Sequence, residues 1–157
     1  MHAVAFIFGD VQQAVIACNT AHLLLPKLNA QLVARLVSLV DETVAHIADL
    51  GIKRVGIVAS PTTIKNRLYG QPLRAIGITL VTPSTPQMVI IEQAIRGVIA
   101  GNADNHRQQL LAIIQDMLQD CEAVVLGCTE LSVLAKNISN CIDPLVIVTH
   151  KLLNKIK

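Results

Sequence analysis

The chain has 157 residues, of which 52% are hydrophobic and 15% charged, with a formal net charge of +2. That length fits one ordinary domain or two very small ones, and so apolar a composition excludes a disordered chain. The basic residues are scattered, and with no Trp, two Phe and one Tyr the sequence offers neither a nucleic-acid footprint nor a stacking platform for single strands.

No apolar stretch approaches the roughly 20 residues that a spanning helix needs. The longest are broken by Lys27, Arg35, Asp41 and Glu42, so no membrane partner is expected. Met1 to Phe8 is apolar but short, has no basic start and lacks a cleavage site, which makes it a poor signal peptide. The four cysteines follow no regular framework, so a reduced, cytoplasmic setting is expected rather than a disulfide-bonded one.

In chain order, residues 3–8 have the composition of a strand or a covered N-terminal arm, and Gly9-Asp10 is a turn signal. Residues 13–17 predict a strand. His22 to about Gln31 predicts a helix interrupted at Pro26, or two short pieces. Leu36 to Leu39 reads as a strand, and Asp41 to Leu50 as a helix with Val44, Ile47 and Ala48 on one side and Gly51 as its stop. Val55 to Ala59 predicts a second strand, after which Ser60-Pro-Thr-Thr63 has the residues of a helix start.

Ile78 to Val81 predicts a third strand. Gln87 to Ala100 and Asn105 to Gln119 carry helical spacing, and Gly101-Asn102 separates them. Ala123 to Leu126 predicts a strand, Ser139 to Ile142 a short extended piece, and Leu145 to Lys157 a last helix with cations in its final turn. Strands alternating with helices imply right-handed crossovers and an α/β fold, with parallel sheets flanked by helices. Residues 51–138 would form one α/β half. Residues 1–50 would form a partial half, to which 139–157 return.

Two runs stand out. In Ala14-Val-Ile-Ala-Cys-Asn-Thr-Ala-His22 a short apolar strand ends in a thiol, Cys18, followed by polar residues and a helix start. In Glu122-Ala-Val-Val-Leu-Gly-Cys-Thr-Glu-Leu-Ser-Val-Leu134 the same arrangement delivers Cys128. Two strand-end cysteines suggest a site with one thiol on each side. A helix N-terminus lowers a thiol from its free value of about 8.5, and the carboxyl ends of parallel strands are the usual ligand position in open α/β sheets.

These runs resemble the signature pair of the aspartate/glutamate racemase family. Gly51-Ile-Lys-Arg-Val-Gly-Ile-Val-Ala-Ser60 with Thr63 and Tyr69 is similar to that family's strand, hydroxyl loop and tyrosine, and Asn140-Cys-Ile-Asp-Pro144 to its closing segment. The resemblance implies two similar α/β halves with the active site between them, the first incomplete here. It implies racemisation of an acidic amino acid, aspartate or glutamate, without pyridoxal phosphate or any other cofactor. Cys18 and Cys128 would be the acid/base pair, because inverting an α-carbon needs a base on one face and an acid on the other. Asn19, Thr20, Thr129 and the nearby amides at the helix starts are candidate donors to the substrate carboxylate. Ser60 and Thr63 are further contacts by resemblance. Glu130 and His22 would orient the site or meet the substrate ammonium group, and the sequence does not separate these roles. A homodimer is expected, partly by resemblance and partly because a half-built apolar sheet needs cover.

Each residue also has a plainer reading. A lone strand-end cysteine is more often core than catalytic. Thr20 and Thr129 suit helix caps, His22 a satisfied first-turn histidine, and Ser60 and Thr63 ordinary loop hydroxyls. Cys121 and Cys141 read as structural, Asp143-Pro144 as a turn or helix start, and His46, His106 and His150 as isolated surface residues. No metal-ligand spacing is present.

The chain also departs from the family. Only about 13 residues precede the first cysteine strand, where relatives carry a strand, a Gly-rich turn and a helix. Where some relatives have a lysine before Gly-Asn, this chain has Ile99-Ala100 ahead of Gly101-Asn102, with Arg96 one turn earlier. Two alternatives follow. One is a truncated, non-catalytic homologue acting in binding or assembly. The other, ranked lowest, is a hydrolase using one thiol with a histidine such as His22.

Overall fold

The structure, a computed structural model, describes residues 11–155. The expected strand or arm at residues 3–8 and the Gly9-Asp10 turn lie outside that range. The elements are β1 Ala14–Val15, a 3-10 helix Thr20–Lys27, α1 Ala30–Val33, β2 Leu36–Val37 and α2 Leu39–Asp49. There follow β3 Arg54–Ala59, α3 Pro61–Lys65, α4 Gly70–Ala75, β4 Thr79–Val81, α5 Thr85–Ile99 and α6 Asp104–Met117. The chain continues through β5 Ala123–Gly127, α7 Thr129–Leu134, β6 Cys141–Ile142 and α8 Pro144–Lys155.

Every strand pairing among the described residues is parallel. β1 and β2 form a two-stranded sheet, and the others a four-stranded sheet in the order β4-β3-β5-β6. This is the α/β fold with helix-flanked parallel sheets that the alternation of patterns predicts.

The central strands are buried on both faces, as parallel strands between helices must be. Val55, Ile57, Ala59, Ala123 and Val125 face a core that includes Val44 and Ile47 of α2 and Tyr69. Val58, Val124 and Leu126 face the opposite core, with Ile91, Leu110, Ile114 and Leu131. The smaller sheet has its own cover. Val15, Val37 and Leu39 pack with Leu145, Val148 and Leu152 of α8, and Lys151 ion-pairs with Glu42. The segment from residue 139 thus serves both sheets: Cys141–Ile142 pairs with β5, while α8 lies against β1, β2 and α2.

Two glycines are required where they stand. Gly51, at φ 72°, ends α2. Its N–H bonds Ala48 C=O at 2.9 Å, and Ile52 N–H bonds Ile47 C=O at 3.3 Å, the two bonds of a Schellman stop. Gly127 pairs with Ala59 in the β3–β5 register. A Cβ there would lie 2.8 Å from the Ala59 Cβ and 3.0 Å from Ile57 Cδ1, so only glycine lets the two strands close just before Cys128.

Several expectations are corrected. The strand expected at 13–17 is two residues long, Ala14–Val15, and among the described residues it pairs with β2 alone. Leu39 starts α2 instead of ending β2: Ser38 accepts from Asp41 N–H at 3.1 Å and caps the helix two residues earlier than apolar spacing suggests. The segment expected from His22 to Gln31 takes the second of its two readings, two short pieces: a 3-10 helix with Pro26 inside it, then a separate turn of α-helix capped by Asn29. Of the histidines expected at the surface, His150 is exposed but His46 and His106 are half-buried. The His106 ring packs on Gly97, where a Cβ would meet its Cδ2 at 2.7 Å, and its Nδ1 is buried without a partner.

Candidate active site

β1 leads to Cys18, whose N–H bonds Ile16 C=O at 2.8 Å in a tight turn that leaves the residue exposed. The next three polar positions fold inward. Asn19 is 2% exposed, and its Oδ1 accepts a short hydrogen bond from the Tyr69 hydroxyl. Its Nδ2 is buried with no partner. A buried amide left unsatisfied costs about 1–3 kcal/mol, so this group is a candidate donor to an acceptor. Burial pushes the Tyr69 phenol well above its ordinary value, so it remains a donor.

The Thr20 hydroxyl shares hydrogen bonds with Thr63 Oγ1 at 2.9 Å and Ser60 Oγ at 3.1 Å. The Ser60 hydroxyl donates to Thr63 Oγ1 at 3.1 Å, which closes a triangle of three hydroxyls from two loops. Ser60 also caps α3, accepting from Thr63 N–H at 3.3 Å, with Pro61 in the first turn. Thr20 is therefore not a helix cap. It is the clasp between the Cys18 loop and the loop after β3.

His22 is buried, and both ring nitrogens are engaged by backbone. Nδ1–H donates to Cys18 C=O at 2.9 Å, and Nε2 accepts Leu39 N–H at 3.0 Å. This pairing requires the Nδ1–H tautomer and leaves no ring nitrogen free to take a proton from a thiol. The hydrolase alternative thus loses its base.

Cys128 emerges from β5 beside Ser60, since Ala59 and Gly127 are register partners on adjacent strands. Its thiol donates to Glu130 Oε2 at 2.9 Å, and the Thr129 hydroxyl donates to the same oxygen at 3.2 Å. Thr129 is therefore a ligand of Glu130 and not a cap. The Cys128 thiol is pushed up to about 12, first by burial, then by its hydrogen bond to Glu130 and that carboxylate's charge, with Cys18 adding to the rise. This corrects the expectation that a helix N-terminus lowers it. Helix α7 has six residues, and burial together with the adjacent carboxylate outweighs its end. The Cys128 hydrogen bond holds the Glu130 carboxyl below its ordinary value.

The structure thus forms two clusters, Cys18 to Thr20 with Ser60, Thr63 and Tyr69, and Cys128 with Thr129 and Glu130. They meet at Ser60, which bonds Thr20 two residues after Cys18 and follows Ala59, the register partner of Gly127. Two clefts of about 580 and 540 Å³ lie elsewhere, the first sharing Thr63 and Tyr69 as wall, and neither is lined by Cys18 or Cys128. Cys121 is buried, and burial pushes the Cys141 thiol up to about 11. No cluster able to hold a metal ion occurs among the described residues. No helix among them is long and apolar enough to cross a membrane. Sequence reasoning missed Thr43, whose hydroxyl donates to Leu39 C=O at 2.6 Å behind His22. A threonine in a helical pattern carries no signal of that role.

The pattern of the family described as Asp/Glu/Hydantoin racemase matches residues 8–153. The chain belongs to that family. Among its relatives, the glutamate racemase of Latilactobacillus sakei is 28% identical over 144 residues, covering 86% of this chain and 50% of that protein. The glutamate racemase of Limosilactobacillus reuteri is 28% identical over 135 residues, 83% of this chain and 49% of that protein. The chain thus spans about half the length of the curated relatives it matches. Among solved structures, an aspartate racemase homologue from Pyrococcus horikoshii superposes with a TM-score of 0.75 at 25% identity, covering 97% of this chain and 70% of that one. The Picrophilus torridus aspartate racemase shares the fold at a TM-score of 0.76 and 23% identity, with 89% and 62% covered.

Proposed function

We propose that this chain carries the two-cysteine chemistry of a cofactor-independent amino-acid racemase acting on aspartate or glutamate. The observation that carries the reading is that the two strand-end cysteines stand on loops that meet: Cys128 donates to Glu130 and follows Gly127, the register partner of Ala59 next to Ser60, while Thr20, two residues after Cys18, bonds Ser60. An acid and a base, one on each side of a substrate, are what inversion of an α-carbon requires. In one direction the Cys18 thiolate takes the α-proton, so that Cα–H breaks and S–H forms. The carbanion's electron pair then takes the proton of Cys128, leaving that sulfur as thiolate. The reverse direction exchanges the roles.

Asn19 and the Thr20–Ser60–Thr63 hydroxyls are the proposed carboxylate donors. Glu130 orients the Cys128 thiol, and Thr129 steadies Glu130. His22 acts on the Cys18 backbone and not on the substrate. A homodimer in a reduced cytoplasm fits the four free cysteines and the short β1–β2 sheet.

The test is α-proton exchange by NMR, with L-aspartate and L-glutamate separately, in deuterated buffer on the folded chain. Deuterium incorporation with appearance of the D form supports the reading. No exchange with either amino acid, in protein shown to be folded, overturns it in favour of a non-catalytic homologue.

A further inference from the structure

Behind the exposed Cys18 runs a nearly closed ring of buried polar contacts. Cys18 C=O accepts from His22 Nδ1, and His22 Nε2 accepts from Leu39 N–H. Leu39 C=O accepts from the Thr43 hydroxyl, and the Thr43 side chain also reaches the Tyr69 phenol. Tyr69 donates to Asn19 Oδ1, and Asn19 is bonded to Cys18 through the chain. Leu39 and Thr43 are 0% exposed, Tyr69 1%, Asn19 2% and His22 6%. Ring members without access to water hold one another's geometry, because each broken link leaves a buried group unpaired.

The amide in this ring has a direction. Tyr69 occupies Oδ1, so the two N–H groups of Nδ2 face away from the phenol, and they alone in the ring have no acceptor. We infer that Tyr69 is a positioning residue that sets the orientation of the Asn19 amide, presenting Nδ2 as a ready-made donor to a substrate carboxylate. The inference rests on the amino-acid reading of the site. It adds a device that the two-cysteine chemistry does not require: the sole tyrosine of the chain, in the hydrophobic core, governs recognition through its hydroxyl. In its absence the amide can turn over and offer an oxygen to a carboxylate, which repels it.

The experiment is a double-mutant cycle on the whole chain, reading the affinity for L-aspartate and L-glutamate by calorimetry and, where turnover is seen, KM and kcat separately. Tyr69→Phe keeps the ring that fills the core and removes only the hydroxyl. It is expected to weaken binding about tenfold, the scale of one misdirected hydrogen bond to a charged group, and to raise KM more than it lowers kcat. In an Asn19→Ala background the same change is expected to cost no further affinity, since Tyr69 then has nothing to orient. An equal loss in both backgrounds overturns the inference and assigns Tyr69 a general structural role. Unchanged affinity in folded Tyr69→Phe also overturns it while leaving the amino-acid reading intact. A parent chain that binds neither amino acid overturns that reading, and the carboxylate acceptor with it.

Discussion

The two strand-end cysteines look alike in sequence and differ in what holds them. Cys128 follows five buried residues of a strand paired on both sides, and its thiol is half-buried on a carboxylate. Cys18 follows a two-residue strand that, among the described residues, pairs with β2 alone. The residue is exposed, and its backbone is held by His22 and its neighbours by Tyr69 and Thr20. One end is positioned by sheet packing, the other by a polar scaffold reaching across loops. The proposed two-thiol reaction needs one thiol and one thiolate at a time, and two interacting thiols lose their protons in two separate steps.

The most severe way to break the comparison is to remove either sulfur. Cys18→Ala and Cys128→Ala are each expected to reduce α-proton exchange by about 100- to 10,000-fold, the usual contribution of a positioned acid or base, with the circular dichroism spectrum unchanged. Full exchange in either variant would sink the two-thiol mechanism.

The next effects separate packing from scaffold. Gly127→Ala drives a methyl into Ala59 and Ile57 and is expected to cost about 1–3 kcal/mol by overpacking, measured by urea unfolding. Thr20→Val removes the clasp to Ser60 and Thr63 and is expected to cost about 1 kcal/mol in the same assay. An equal or larger loss for Thr20→Val would reverse the assignment of packing to one end and scaffold to the other.

The smallest perturbation is protonic. The fold favours the neutral Cys128 thiol, so the stability from that preference is whole below the ordinary thiol range and is lost as pH rises toward about 12. Glu130→Gln removes the carboxylate's charge and is expected to lower the Cys128 pKa, shifting this alkaline loss downward, as read by thiolate ultraviolet absorbance. Iodoacetamide with peptide mapping is expected to label Cys18 first, because it is exposed, and Cys128 later. Equal labelling rates in the folded chain would contradict the difference in burial.

Much of this was legible along the chain. Short apolar runs and helical spacing placed the central strands and the long helices to within a few residues, because those segments bury whole faces and their composition is set by that burial. Gly51 marked a helix end through its left-handed backbone. The Cys-Thr and Cys-Asn-Thr runs marked the candidate site, because strand ends in parallel sheets converge. Caps were read less well: Ser38 starts α2 earlier than the apolar spacing alone indicates.

Sequence alone determined the parallel α/β class and the family and singled out two strand-end cysteines as the candidate pair, since each is written in residues close together or in the repetition of one motif. Tertiary structure alone decided that Cys128 is a strongly held thiol while Cys18 is exposed, that Thr20 clasps Ser60 and Thr63, and that Tyr69 takes one end of the Asn19 amide. Those facts depend on burial and on partners far away in the chain, and the free energy of a charge or a buried hydrogen bond is set by what surrounds it in space.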